Sequence, residues 1–162
     1  MFERYSELAR QAIFFALIEA REAQAAAIDT DHLLVGILVV DPELSAQFAL
    51  EAHKNKFEQS FAAGPSKQDG TNLPVTSDLG EVMRHAVSIA DLHNCREIRT
   101  EHLFAALLEG RGQAAKILAA YHIEKHVLSN AISNVDCKEP QKPTEESKRV
   151  TSLIIAKKFS RD

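Results

Sequence analysis

Residues 28–38 (Ile-Asp-Thr-Asp-His-Leu-Leu-Val-Gly-Ile-Leu) return 70 positions later, without a gap, as residues 98–108 (Ile-Arg-Thr-Glu-His-Leu-Phe-Ala-Ala-Leu-Leu). Ile28, Thr30, His32, Leu33 and Leu38 recur as Ile98, Thr100, His102, Leu103 and Leu108. A repeat of this length is a small bundle that leaves one apolar face uncovered, and two such units bury those faces against each other. The same offset reaches upstream. Ala9, Ala12, Ile13, Ala16, Leu17 and Ala20 fall on one face of a helix, and adding 70 gives Leu79, Val82, Met83, Ala86, Val87 and Ala90.

The pattern predicts an all-α chain. Helices are expected over about 6–25, 30–40 and 42–52, with a short fourth to about Phe61. In the second half they are expected over about 77–93, 100–109, 112–121 and 124–134. Ser6 reads as the N-cap of the first long helix, and Thr30 and Thr100 as caps that accept backbone N–H groups left without helical partners. Asp31 and Glu101 then sit in the first turn, where the positive end of the helix dipole favours an anion and a side chain normally faces solvent. Gly64, Pro65, Ser66, Gly70, Asn72 and Pro74 mark a linker. The expected organisation is 1–62, a first repeat; 63–75, a linker; 76–134, a second repeat; and 135–162, a charged C-terminal tail.

The net charge of −4 is uneven: the tail holds seven Lys/Arg against five Asp/Glu, a net +2 that leaves −6 on the preceding residues. An acidic body argues against nucleic acid as partner, since phosphate binding needs clustered positive charge. The charged start lacks a signal-peptide core, and the run from Ala12 to Ile18 is too short to span a bilayer. A cytoplasmic protein is expected, with Cys95 and Cys137, neither in a Cys-x-x-Cys pair, as reduced thiols.

Chemistry finds little foothold. There is no Gly-x-Ser-x-Gly and no P-loop motif. His122 and His126 are spaced i, i+4 but have no evident third ligand, and His85 and His93 lie about two turns apart. No enzyme, catalytic residue, metal or cofactor is expected. Asp31 and Glu101 are the sharper signal, because a cap does not require the acid: brought together by two-fold packing, they would pair as a site for a cation such as a guanidinium. Phe14, Phe15 and Ile18 lie off the shared stripe, and their counterparts are Arg84, His85 and Ser88. That extra apolar surface is either covered from within, by Leu153-Ile154-Ile155 or Phe57 and Phe61, or is a patch for another protein.

The opening Met-Phe-Glu-Arg-Tyr-Ser-Glu-Leu-Ala-Arg, followed by Thr-Asp-His-Leu-Leu-Val-Gly-Ile-Leu, resembles the N-terminal domain of the Clp/Hsp100 unfoldases, most closely the ClpC/ClpA branch. Thr-Glu-His-Leu and Gly-Gln-Ala-Ala-Lys-Ile-Leu (112–118) resemble its second repeat, and the likeness covers about 1–134. It implies two pseudo-symmetric four-helix Clp repeats packed into one domain. It also implies a non-catalytic protein-interaction module that binds substrate polypeptides, adaptors or Clp ATPase or protease subunits and modulates ATP-dependent proteolysis. In some ClpC proteins this domain recognises phosphorylated arginine. Carried onto this sequence, that implies two pockets, Asp31 with Ser6 and Glu101 with Thr76, in which carboxylates hold the guanidinium and helix N-termini receive the phosphate. Asp31 is one methylene shorter than the family Glu, which weakens the first pocket. With no ATPase module in the sequence, the chain resembles free-standing accessory Clp proteins; the alternative is a piece of a longer Clp ATPase.

Overall fold

The computed structural model describes residues 3–47, 73–120, 137, 140–145, 148–149 and 152–153. Six helices are described: α1 (Glu7–Glu22), α2 (Thr30–Val40), α3 (Pro42–Gln47), α4 (Ser77–Leu92), α5 (Thr100–Glu109) and α6 (Gln113–Ala120). The expected fourth helix of each repeat, the linker before Leu73 and residues 124–134 lie outside the described residues. Among the described residues there is no strand, only two isolated bridges, so the all-α expectation holds.

The helix boundaries follow from local chemistry. The Ser6 hydroxyl accepts the Ala9 N–H at 3.0 Å, and the Thr76 hydroxyl accepts the Leu79 N–H at 3.2 Å, so the two long helices start alike. They also end alike. Gln24 (φ 55°) and Asn94 (φ 57°) take the left-handed conformation, and the next residues, Ala25 and Cys95, donate back to the Ala20 and Ala90 carbonyls. This reversal, a Schellman ending, satisfies carbonyls that the helix leaves open. It stops α1 at Glu22, three residues short of the sequence expectation.

Ala9, Ala12, Ala16 and Ala20 of α1, and Leu79, Val82, Ala86 and Ala90 of α4, are buried as the shared stripe requires. Every residue of α2 is buried, which identifies it as a core helix rather than an amphipathic one. It packs on α1, α3, α4, α5 and α6. The α1–α2 crossing is very close. A Cβ at Gly36 would lie 2.2 Å from the Ala12 carbonyl oxygen and 3.2 Å from the Ala16 nitrogen, both backbone atoms that cannot move aside cheaply. Gly36→Ala is therefore expected to destabilise the fold by about 2–3 kcal/mol through overpacking, read as a lowered urea midpoint with unchanged slope.

The repeats are strapped together reciprocally. Ile98 donates to the Arg4 carbonyl and accepts from the Ser6 N–H, both at 2.9 Å. Seventy residues out of phase, Ile28 donates to the Pro74 carbonyl (2.8 Å) and accepts from the Thr76 N–H (3.0 Å). The segment leading into each long helix is thus pinned to the loop of the other repeat. Arg4 adds a second strap, reaching the Asp91 carboxylate and the carbonyls of Cys95 and Arg96.

Candidate functional site

The Thr-acid-His-Leu tetrads open α2 and α5, but the residues divide the labour differently from the sequence expectation. The N-caps are Asp29 and Arg99, which have the extended backbone a cap needs. Thr30 and Thr100 are the first helical residues, so their hydroxyls are free to reach the opposite repeat. Thr30 Oγ1 accepts the Ala114 N–H at the start of α6 (3.1 Å), and Thr100 Oγ1 donates to Asp41 (2.7 Å). The histidines close the caps: His32 Nδ1 accepts the Asp29 N–H and His102 Nδ1 the Arg99 N–H, each at 2.9 Å. Leu33 and Leu103 enter the core as expected.

The acids are not solvent-facing. Asp31 is only 7 % exposed and accepts the His32 N–H at 3.0 Å. Burial pushes its carboxyl above the usual range, His32 opposes that, and the neighbouring Asp29 charge adds to it. Glu101 pairs with Arg99 at 3.2 Å; burial raises its carboxyl too, against the lowering pull of Arg99.

Two polar clefts at the seam do not pair the candidate ligand residues as expected: Ser6 and Glu101 meet at Gln141, whereas Thr76 bonds to Asp29, the residue two before Asp31. Because the leading segments cross between repeats, Ser6 faces the second tetrad and Thr76 the first. Each cleft converges two donors on one oxygen. In the first, Asp29 Oδ1 accepts the Thr76 hydroxyl at 2.8 Å and the Thr30 N–H at 2.7 Å. In the second, the residue equivalent to Asp29 is Arg99, which supplies no acceptor. There the side chain of Gln141 arrives from the tail, and its Oε1 accepts the Ser6 hydroxyl at 2.7 Å and the Thr100 N–H at 3.1 Å. Gln141 was invisible to sequence reasoning, since it lies outside the repeat; the Asp29/Arg99 charge reversal was the one available signal.

Cys95 and Cys137 are joined as a disulfide, not held as reduced thiols. The fold sets their Cα atoms 5.0 Å apart, within disulfide reach although 42 residues separate them in sequence. His102 places a ring nitrogen within 4.8 Å of both sulfurs. Burial first, then electrostatic interaction with Arg99, His93 and Arg4, pushes its pKa down to about 4, so the imidazole is neutral at about pH 7. With Nδ1 accepting from Arg99, the proton resides on Nε2, which is buried and has no hydrogen-bond partner among the described residues. Two cysteines and a histidine are a zinc-type donor set only when both thiols are reduced.

Phe14, Phe15 and Ile18 do not form one surface. Phe15 (1 % exposed) and Ile18 belong to the core, and Phe14 alone stands out at 50 %. Leu153 is 66 % exposed and supplies no cover; Ile154, Ile155, Phe57 and Phe61 lie outside the described residues. The apolar opening lies elsewhere, on the seam between the repeats. A groove of about 380 Å³ runs between α1 and α4, lined by Tyr5, Ile13, Ile28, Val75, Met83 and Val87 among others, with Val75 half-exposed. Among the described residues no helix is long and apolar enough to cross a membrane.

Two pseudo-symmetric helical repeats, strapped across a common seam, define the class: a double-repeat all-α module. The Clp repeat (R) N-terminal domain family matches residues 4–121, and the chain belongs to that family. Its relatives include the chloroplastic chaperone protein ClpD of Arabidopsis thaliana, 24 % identical over 168 residues, covering 91 % of this chain and 18 % of ClpD. A ClpA homolog from Cyanidium caldarium, an ATP-dependent Clp protease ATP-binding subunit, is 29 % identical over 125 residues, covering 73 % of this chain and 14 % of its own length. The chain thus spans less than a fifth of the length of these relatives. The Hsp104 N-terminal domain from Candida albicans shares the fold, with TM-score 0.70 at 14 % identity, over 85 % of this chain and 95 % of that one. Domains of this family are generally protein-interaction modules, non-catalytic accessories of ATPases whose hydrolytic activity lies in other domains.

Proposed function

We propose that this chain binds segments of substrate polypeptides in the α1–α4 groove and so serves Clp-type, ATP-dependent unfolding or proteolysis. The observation that carries this is the groove itself: an open apolar slot, flanked by the two bridges, on a domain whose family generally binds proteins. Its volume suits a few apolar side chains rather than the flat face of a folded partner. An unfolded chain presents such side chains in short runs, so the groove distinguishes unfolded from folded clients.

A phosphoarginine-type tag at Ser6, Thr76, Asp31 and Glu101 is the weaker reading. It would have to displace Asp29, a carboxylate that repels phosphate, from one cleft, and Gln141 together with the Arg99–Glu101 pair from the other. Among the described residues nothing fills the groove, so binding there needs no such displacement.

Val75→Asp tests the proposal. Because Val75 is half-exposed, stability should change by no more than about 0.5 kcal/mol. A buried charge in the slot should weaken binding of a fluorescent, carboxymethylated and permanently unfolded polypeptide by about tenfold or more, measured by polarisation. Unchanged affinity would remove the groove from the function.

A further inference from the structure

The two clefts at the repeat seam are solved in different ways, and the difference carries an inference independent of the apolar groove. Both present a long-helix cap hydroxyl and the N–H of a tetrad threonine to a single oxygen. The first repeat supplies that oxygen from within, through Asp29. The second has no such group, and the oxygen comes from a side chain in the tail. Gln141 is 8 % exposed and its contacts are extensive. Beyond its two Oε1 bonds, Nε2 donates to Thr100 Oγ1 at 2.8 Å and reaches the Glu101 carboxylate at 3.3 and 3.4 Å. Its backbone N–H donates to Glu97 Oε2 at 3.0 Å. The cleft therefore reads both ends of a primary amide and one backbone N–H of the segment that bears it, which is recognition of a glutamine within a peptide.

Four residues before Gln141, Cys137 is bonded to Cys95, in the loop that leads to this cleft. Four residues reach at most about 14 Å. A tether that short holds the glutamine at an effective concentration on the order of millimolar or above.

We propose that the Ser6–Thr100–Glu101 cleft is a docking site for a glutamine-bearing polypeptide segment, that residues 140–145 of this chain occupy it in cis, and that the Cys95–Cys137 disulfide latches them there. A dithiol reductant opens the latch: the S–S bond breaks, two electrons and two protons pass to the sulfurs, and the reductant closes to its own disulfide. The tail segment then competes without its short tether, and the cleft becomes available to an equivalent segment of another chain.

Amide hydrogen exchange on the full chain reads the latch directly. Reduction, and separately Cys137→Ser, should speed exchange of the Thr100 amide at least tenfold, while the Thr30 amide, held by Asp29, stays unchanged and reports that the fold is intact. Gln141→Ala should have the same effect without reduction. For docking, the probe is a labelled peptide with the sequence of residues 138–145, Lys-Glu-Pro-Gln-Lys-Pro-Thr-Glu. It should bind reduced Gln141→Ala protein at least tenfold more tightly than oxidised wild type, and a peptide with alanine in place of the glutamine should not bind. Thr100 protection that survives reduction and Cys137→Ser overturns the latch, and protection that survives Gln141→Ala overturns the glutamine as its source. Failure of the peptide to bind reduced Gln141→Ala, or equal binding to oxidised wild type, overturns the docking site. None of these results bears on Val75 and the groove.

Discussion

Alanine at Phe15 is expected to lower stability by about 3–5 kcal/mol, whereas alanine at Phe14, its neighbour in sequence, should change it by less than about 0.5 kcal/mol. The two rings touch edge to face, with centroids 6.0 Å apart, yet consecutive helical positions point about 100° apart. Phe15 is 1 % exposed within the core cluster, so truncation removes its burial and leaves a cavity. Phe14 is 50 % exposed, and its truncation returns only half-wet surface to water. Urea denaturation of both variants gives the two values. Equal losses would mean that the α1 face is covered by something beyond the described residues. A large loss at Phe15 alone confirms that the surplus apolar surface on α1 is mostly core and restricts any patch there to a single ring.

The second large effect is on acid stability, through His102. Its folded-state pKa lies at about 4, below the ordinary 6.5. Above about pH 6.5 the folded and unfolded chains both hold a neutral imidazole, and the fold keeps its full stability. Below that, the unfolded chain takes up a proton that the folded chain refuses. Stability is lost progressively until about pH 4, where the folded form protonates as well. The integrated loss is about 3 kcal/mol. Asp31 and Glu101 act in the opposite direction. Their carboxyls are raised by burial, so the folded chain takes up their protons first as pH falls, which relieves the penalty of buried charge. The stability difference between wild type and His102→Asn isolates the histidine, since both proteins carry the same acids and the asparagine oxygen keeps an acceptor near the Arg99 N–H. That difference should shrink by about 3 kcal/mol between pH 7 and pH 4; a constant difference would mean that His102 is not held neutral.

The repeat made the architecture legible from residues alone, because a shared stripe and a shared cap such as Ser6 are local signals. Helix ends were harder to place. Gln24 takes the left-handed turn usually marked by glycine, so nothing in the sequence stopped α1 before Ala25. The tetrad was found but its roles were misassigned: Thr30 looks like a cap, and only the backbone shows that Asp29 holds that position. Partner exchange between the clefts depends on chain crossings, which no spacing along the sequence records. Cys95 with Cys137, and Gln141 with Ser6, are contacts across 42 and 135 residues that follow no period, so only the folded path brings them together.

The reciprocal bridges at Ile28 and Ile98 have a consequence for assembly. Each half of the polypeptide completes the other, so the bonds that close the molecule upon itself are the same bonds that would join a half from one copy to a half from another. Whether the intramolecular arrangement wins is then a matter of concentration and of the length of chain between the halves. Shortening the chain between the halves within residues 63–72, which leaves Pro74 and Val75 in place, should convert the intramolecular arrangement into an exchanged dimer that keeps the reciprocal bridges.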